Sequence, residues 1–240
     1  MGSGTVFERY EIKYIITEKQ QELIKNGMEK YMASDKYGRS VIRNIYYDTA
    51  DSRLIRRSNE KPVYKEKLRV RSYKRVESDD EKVFVELKKK YNSVVYKRRT
   101  VLSENTAAKW LNDGQLPQEQ TQIISEIEYF RRFYGSLVPS AFVSYDREAF
   151  FAVDGSDFRV TFDENISART TDLSLKKDVG GEKLLGNGLV LMELKTHSGI
   201  PLWMTSLLSE NEIYKTSFSK YGTAYRTMIF PEKGEIKNVC

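Results

Sequence analysis

Cysteine is almost absent from this chain of 240 residues: the one copy is Cys240, so a disulfide framework is excluded. Histidine is as scarce. His197 stands alone, no Ser/His/Asp or Cys/His set of the kind used in covalent catalysis is evident, and the residue is expected to be structural or superficial. No apolar run approaches the roughly 20 residues needed to cross a bilayer. The opening Met1-Gly2-Ser3-Gly4 lacks the charged-then-apolar order of a signal peptide. The expectation is a soluble, cytoplasmic protein that inserts no segment of its own into a membrane. There is no long Pro/Gly/Ser linker and no repeat of solenoid length, so residues 1–240 read as a single domain with a core over about 7–228. What is present excludes intrinsic disorder: 40% of the residues are hydrophobic and 12% aromatic. A chain of this length buries roughly 70–75% of the surface it exposes when unfolded, enough for a core without covalent staples.

Charge is present in both signs but unevenly spread. The formal net charge is +6, yet residues 53–99 alone hold 17 basic and 7 acidic side chains, leaving the remainder acidic. A local positive field of this kind attracts polyanions such as nucleic acid, anionic membranes or phosphate compounds; a solvated, Lys-rich strand surface would give the same count.

Period-two alternation recurs along the chain and predicts strands with one charged and one apolar face. Glu11 and Lys13 alternate with Tyr10, Ile12 and Tyr14; Lys67, Arg69 and Arg71 with Leu68 and Val70; Glu86 and Lys88 with Val83, Val85 and Leu87. Lys97 and Arg99 share a face opposite Arg98, and the three runs are separated by short polar turns, as in an antiparallel meander. Further strands are expected around Asn44-Ile45-Tyr46-Tyr47-Asp48, around Tyr145 and Arg147, over Arg159, Thr161 and Asp163, and over Glu193 and Lys195. Helices are expected after a Thr17/Gln20 capping box, over 104–112, over 119–134 with Gly135 as the stop, after Pro201, and over 219–228. Residues 167–187 predict a polar, mobile loop. The fold class is therefore α+β: an eight-stranded antiparallel barrel flanked by helices.

Either face of such a barrel could point inward. With apolar faces inside, the charges would only meet water. Yet Arg and Lys recur at one phase on strand after strand with few carboxylates, whereas solvated faces mix their signs. A lumen lined in this way demands an anionic occupant. A di-, tri- or polyphosphate fits best, because guanidinium groups hold phosphate bidentately and ammonium groups act as point charges. Double-stranded nucleic acid fits less well, since no basic recognition helix is evident. A single strand stacking on some of the 16 tyrosines is the other polyanion considered.

In order along the chain, Arg9-Tyr10-Glu11-Ile12-Lys13-Tyr14, Asn44-Ile45-Tyr46-Tyr47-Asp48-Thr49, Arg69-x-Arg71, Glu86-x-Lys88, Glu193-x-Lys195 and Ser217-Phe218-Ser219-Lys220-Tyr221 resemble the triphosphate tunnel (CYTH-like) metalloenzymes. Within that superfamily the chain is most similar to the vacuolar transporter chaperone (VTC) type domain, the polyphosphate polymerase branch, over roughly 7–228. The resemblance implies a tunnel in which Lys13, Arg69, Arg71, Lys88, Lys97, Arg147 and Arg159 bind phosphate, with Arg99 beside Lys97 in the same role. It implies that Glu193 holds Mn²⁺ or Mg²⁺ with Lys195 and Glu11 beside it, and that Ser219 and Lys220 close on the phosphate. It further implies ATP and inorganic polyphosphate as substrates, no nucleic acid, and a possible membrane partner protein. One departure is visible: Arg9-x-Glu11-x-Lys13 stands where hydrolases of the superfamily open with Glu-x-Glu-x-Lys, which favours a polymerase over a tripolyphosphatase or nucleoside triphosphatase. A non-catalytic polyphosphate-binding module is the third possibility.

Overall fold

The computed structural model describes residues 10–92, 94–197 and 199–231. Arg9, Phe7, Cys240, the opening Met1-Gly2-Ser3-Gly4 and the turn residue Ser93 lie outside the described residues. The chain runs β1 (Tyr10–Thr17), α1 (Glu18–Met28), β2 (Met32–Ser34), β3 (Ser40–Thr49), α2 (Arg53–Asn59), β4 (Tyr64–Ser72), β5 (Lys82–Tyr91) and β6 (Val94–Ser103). It continues through α3 (Glu104–Asp113), α4 (Gln122–Tyr134), β7 (Leu137–Ala152), β8 (Arg159–Arg169), β9 (Glu182–Lys183) and β10 (Leu189–Thr196). Two helices close it, α5 (Leu202–Glu210) and α6 (Lys220–Ala224), the latter continuing as a π-helical turn over Tyr225–Ile229.

Eight of the strands form one antiparallel path, β1-β10-β8-β7-β3-β4-β5-β6, with the short β2 on β7 and β9 on β8. The sheet curls until its two end strands, β1 and β6, approach one another, but they share no ladder. Of the expected closed or nearly closed barrel, the antiparallel sheet is present and curled, but it is not closed. The physical reason lies at the free edge of β1, where the Thr216 N–H donates to the Lys13 carbonyl at 2.7 Å. This single bridge, made by a residue shortly before the terminal helix, occupies that edge of β1 at Lys13.

The apolar faces lie outside. Leu68, Val70, Val83, Val85 and Leu87 pack under Trp110 and Leu111 of α3 and Ile124, Ile127 and Phe130 of α4. On the other wall Ile16, Val160, Phe162, Met192 and Leu194 pack against Ile24 and Met28 of α1 and Met204 and Leu208 of α5. Each such fully buried side chain contributes roughly 1.5–3 kcal/mol. A third cluster sits in the interior at one end, where Tyr221, Ala224, Tyr225 and Ile229 plug against Ile42, Ala141, Val143 and Leu191.

Local signals explain most boundaries. Thr17 and Gln20 form the capping box of α1, with the Gln20 N–H donating to Thr17 Oγ1 at 3.1 Å. Helix α4 starts at Gln122, capped by Thr121, later than expected, and turns off at Gly135 with φ +76. Residues 167–187 include short paired and buried stretches. Strand β8 extends to Arg169, Glu182–Lys183 pairs with it, and Leu175 and Leu184 are buried in two different cores.

Candidate functional site

The curl turns the charged phase of the strands inward. On one wall, register pairs Lys13 with Glu193 and Glu193 with Thr161, while Glu11 pairs with Lys195 and Lys195 with Arg159. On the other, Arg69 pairs with Glu86 and Glu86 with Arg99, while Lys67 pairs with Lys88 and Lys88 with Lys97. The Glu11–Lys88 ion pair, at 2.8 Å, spans from β1 to β5 across the interior and joins the two walls.

Four carboxylates organise this interior, and cations outnumber them by more than two to one. Glu193 has Lys195 at 3.2 Å, Arg147 at 3.3 Å, Lys13 at 3.5 Å and Lys220 at 3.7 Å. Burial opposes its charge, but Lys220, Lys195, Lys13 and Arg147 together hold its carboxyl well below the usual range. Asp163 receives both arms of Arg147 at 2.6 Å each and the Lys220 amine at 2.5 Å. Glu86, fully buried, accepts from Arg69 Nε at 2.8 Å, Arg99 Nε at 2.6 Å and Lys97 at 3.3 Å, with Arg71 at 3.9 Å. Burial again works against ionisation, and Arg69, Arg71, Lys97 and Arg99 overcome it. Glu11 is depressed in the same way: burial raises it, and Lys88 and Lys13 more than offset that.

The predicted residues fall into two groups. Lys13, Arg69, Arg71, Lys88, Arg99, Arg147, Lys195, Lys220, Ser219, Glu11 and Glu193 converge on the interior, and Lys97, itself exposed, reaches in to Glu86. Arg159 keeps the inward phase but stands exposed at the rim beside Lys195. Arg98, on the opposite face of β6 as expected, donates to Glu126 on α4 at 2.8 Å. His197 stays outside this cluster, its backbone N–H donating to Asp157 at 2.8 Å.

Residues placed on strands from sequence, but given no role there, complete the arrangement. Tyr145 accepts from Arg71 at 3.0 Å and offers its ring to Arg147 and Lys220, so one phenol gathers three cations. Asn44 accepts from Arg71 Nε at 2.8 Å, and Tyr46 accepts from Arg69 at 3.2 Å while stacking on Tyr221. Lys67 donates to Ser219 Oγ at 2.9 Å. Strand phase was the available signal: Lys67 shares the face of Arg69, and Asp163 that of Arg159.

A divalent cation can be tested against the side chains. Among the described residues no group of three or more His, Cys, Asp or Glu side chains is arranged to hold a metal unaided. Glu193 and Glu11 lie close enough to repel one another, and Thr161 Oγ1, buried and without a hydrogen-bond partner, sits at the register position next to Glu193. One or two carboxylates with a spare hydroxyl suit Mg²⁺ or Mn²⁺ completed by water and substrate phosphate. The site therefore fits a shared ion.

The fold is thus an antiparallel sheet curled round a cation-rich, ion-paired interior. The chain belongs to the VTC domain family, whose model matches residues 8–229. Among solved structures, a candidate adenylate cyclase from Bacillus halodurans is similar with a TM-score of 0.55 at 12% identity, covering 92% of this chain and 100% of that one. A candidate adenylyl cyclase from Hippeastrum, reported with a dominant triphosphatase activity, gives 0.54 at 16% identity, covering 92% and 96%. At those identities the likeness is one of fold. No curated protein sequence matches the chain. Among the described residues no helix is long and apolar enough to cross a membrane.

Proposed function

We propose that this domain is a polyphosphate polymerase that transfers the terminal phosphoryl group of ATP to a growing inorganic polyphosphate chain. The observation that carries the reading is the excess of Arg and Lys, most of them half-buried, converging from both walls onto one interior, a charge that a multiply anionic ligand balances. Arg69, Arg71, Arg147, Lys13, Lys88 and Lys220 bind and align the phosphates, with Lys97, Arg99, Lys195 and Ser219 around them and Arg159 at the rim. Phosphoryl transfer asks a protein mainly for positioning and for charge stabilisation, and guanidinium groups fixed by Glu86 and Asp163 need no reorganisation when the reaction occurs. A terminal oxygen of the acceptor chain, already deprotonated, attacks the γ-phosphorus. The bond to the β-phosphate oxygen breaks and ADP leaves, so no general base is required. Glu193, with Glu11 and the Thr161 hydroxyl, would hold the Mn²⁺ or Mg²⁺, which supplies further neutralisation of phosphate charge.

Purified protein given ATP and Mn²⁺ is expected to form acid-labile polyphosphate that resolves as a ladder on a gel. Glu193→Gln and Arg69→Ala are each expected to lower the rate at least ~100-fold, the scale of losing one charge-stabilising group. Orthophosphate as the sole product would replace the polymerase reading with a triphosphatase, the activity reported for the Hippeastrum neighbour. Binding without turnover would leave a polyphosphate-binding module, and a membrane partner protein belongs to the same proposal.

A further inference from the structure

Lys67 is the interior cation that the phosphate-transfer reading leaves without a task. It shares its face of β4 with Arg69, but Arg69 has Glu86 at 2.7 Å, whereas the hydrogen bond of Lys67 goes to a neutral acceptor, Ser219 Oγ, at 2.9 Å. Across the ladder it meets Lys88, and Lys88 meets Lys97, so three ammonium groups form one row over three strands. Lys88 is answered by Glu11 and Lys97 by Glu86. From β1, Lys13 faces the same point and donates to the Phe218 carbonyl at 2.8 Å. Like charges set directly opposite one another destabilise a ladder. The row is at ease only when an anion shares it or one amine gives up its proton.

We propose that Lys67 is a phosphate contact, and that a phosphate group of the occupant is held jointly by Lys67, Lys88 and Ser219, tying the substrate to the segment that leads into α6. The proposal rests on the phosphate reading of the site. It adds a residue on which the terminal segment and β4 act together, since Ser219 reaches Lys67 while Phe218 reaches Lys13.

A consequence separates this role from simple packing. Burial, then the charges of Lys13, Lys88, Lys65 and Arg69, bring the Lys67 amine down to about 7. A phosphate placed against it favours the charged form, so binding above that value takes up a proton. Arginine at this position stays charged throughout and would bind without that uptake.

The test is calorimetric titration of inorganic tripolyphosphate at about pH 8, in buffers of differing ionisation enthalpy, for the natural chain, Lys67→Arg and Lys67→Met. The natural chain is expected to take up about one proton more than Lys67→Arg. Lys67→Met is expected to bind at least about tenfold more weakly, the scale of one charge-assisted contact. Equal proton uptake by the natural chain and Lys67→Arg would overturn the proposal, even if Lys67→Met failed to fold. Unchanged affinity in a folded Lys67→Met would do the same. Failure of all three folded proteins to bind tripolyphosphate would instead bring down the phosphate reading itself.

Discussion

At the scale of single residues, the interior is held together by carboxylates more than by its cations. Glu86 is the clearest case, because Arg69, Arg99 and Lys97 all donate to it at a position with no solvent exposure. Removing its charge leaves those cations facing each other, and breaking one side of a buried ion pair costs about 3–5 kcal/mol. Glu86→Gln is thus expected to lower unfolding free energy by that amount in urea titration; a loss under about 1 kcal/mol would show that water already screens the cluster. The pH dependence has a definite sign. The folded Glu86 carboxyl lies below its unfolded value, so its stabilisation is complete above that unfolded value, near ~4.3, and is lost as the pH falls below it. The site was legible in sequence as far as strand phase reached: Glu11, Lys13, Arg69, Arg71 and Lys88 alternate with apolar neighbours in short runs. Tyr145 and Thr161 lay on the same faces as Arg147 and Arg159, but an uncharged residue on a charged face takes no role until the opposite wall is known.

At the scale of elements, helices with side-chain caps of their own were readable, and α2 was not. Its N-cap, Ser52, has φ 60 and caps nothing with its side chain. The cap comes from Asp48 at the end of β3, which accepts the N–H groups of Leu54 at 2.9 Å and Ile55 at 3.0 Å and the Tyr221 hydroxyl at 2.8 Å. A basic stretch of seven residues with a borrowed cap has no start signal in sequence. Asp48 accordingly fastens three elements, β3, α2 and α6. Asp48→Ala strands two buried N–H groups at roughly 1–3 kcal/mol each. It is expected to destabilise the fold by about 2–5 kcal/mol in thermal or urea unfolding, well beyond Tyr221→Phe, which loses one hydroxyl for ~1 kcal/mol. Equal effects of the two would mean that α6, and not α2, is what Asp48 secures.

At the scale of the whole molecule, alternation carried enough information to put the strands in one antiparallel sheet and its charges inside, but not to say how the ends meet. Closure depends on whether β6 or Thr216 takes the edge of β1, a choice between two partners that are both distant in sequence and that no local pattern distinguishes. The result is an interior whose cations repel one another and are only partly answered by Glu11, Glu86, Asp163 and Glu193. Net self-repulsion of this kind destabilises the compact state, and a ligand that binds only that state restores what repulsion removes. Tripolyphosphate at about 100 times its dissociation constant adds about 2.7 kcal/mol. For a chain of this size that shifts the melting temperature by roughly 5–11 °C, at about 2–4 °C per kcal/mol. Sodium chloride at equal ionic strength only screens, and screening acts weakly on buried charges, so its shift is expected to be a small fraction of that. Differential scanning fluorimetry with both additives decides the matter. Equal shifts would mean that the inward charges answer to ionic strength alone, and the convergence of two cationic walls would then lose its meaning as a phosphate site.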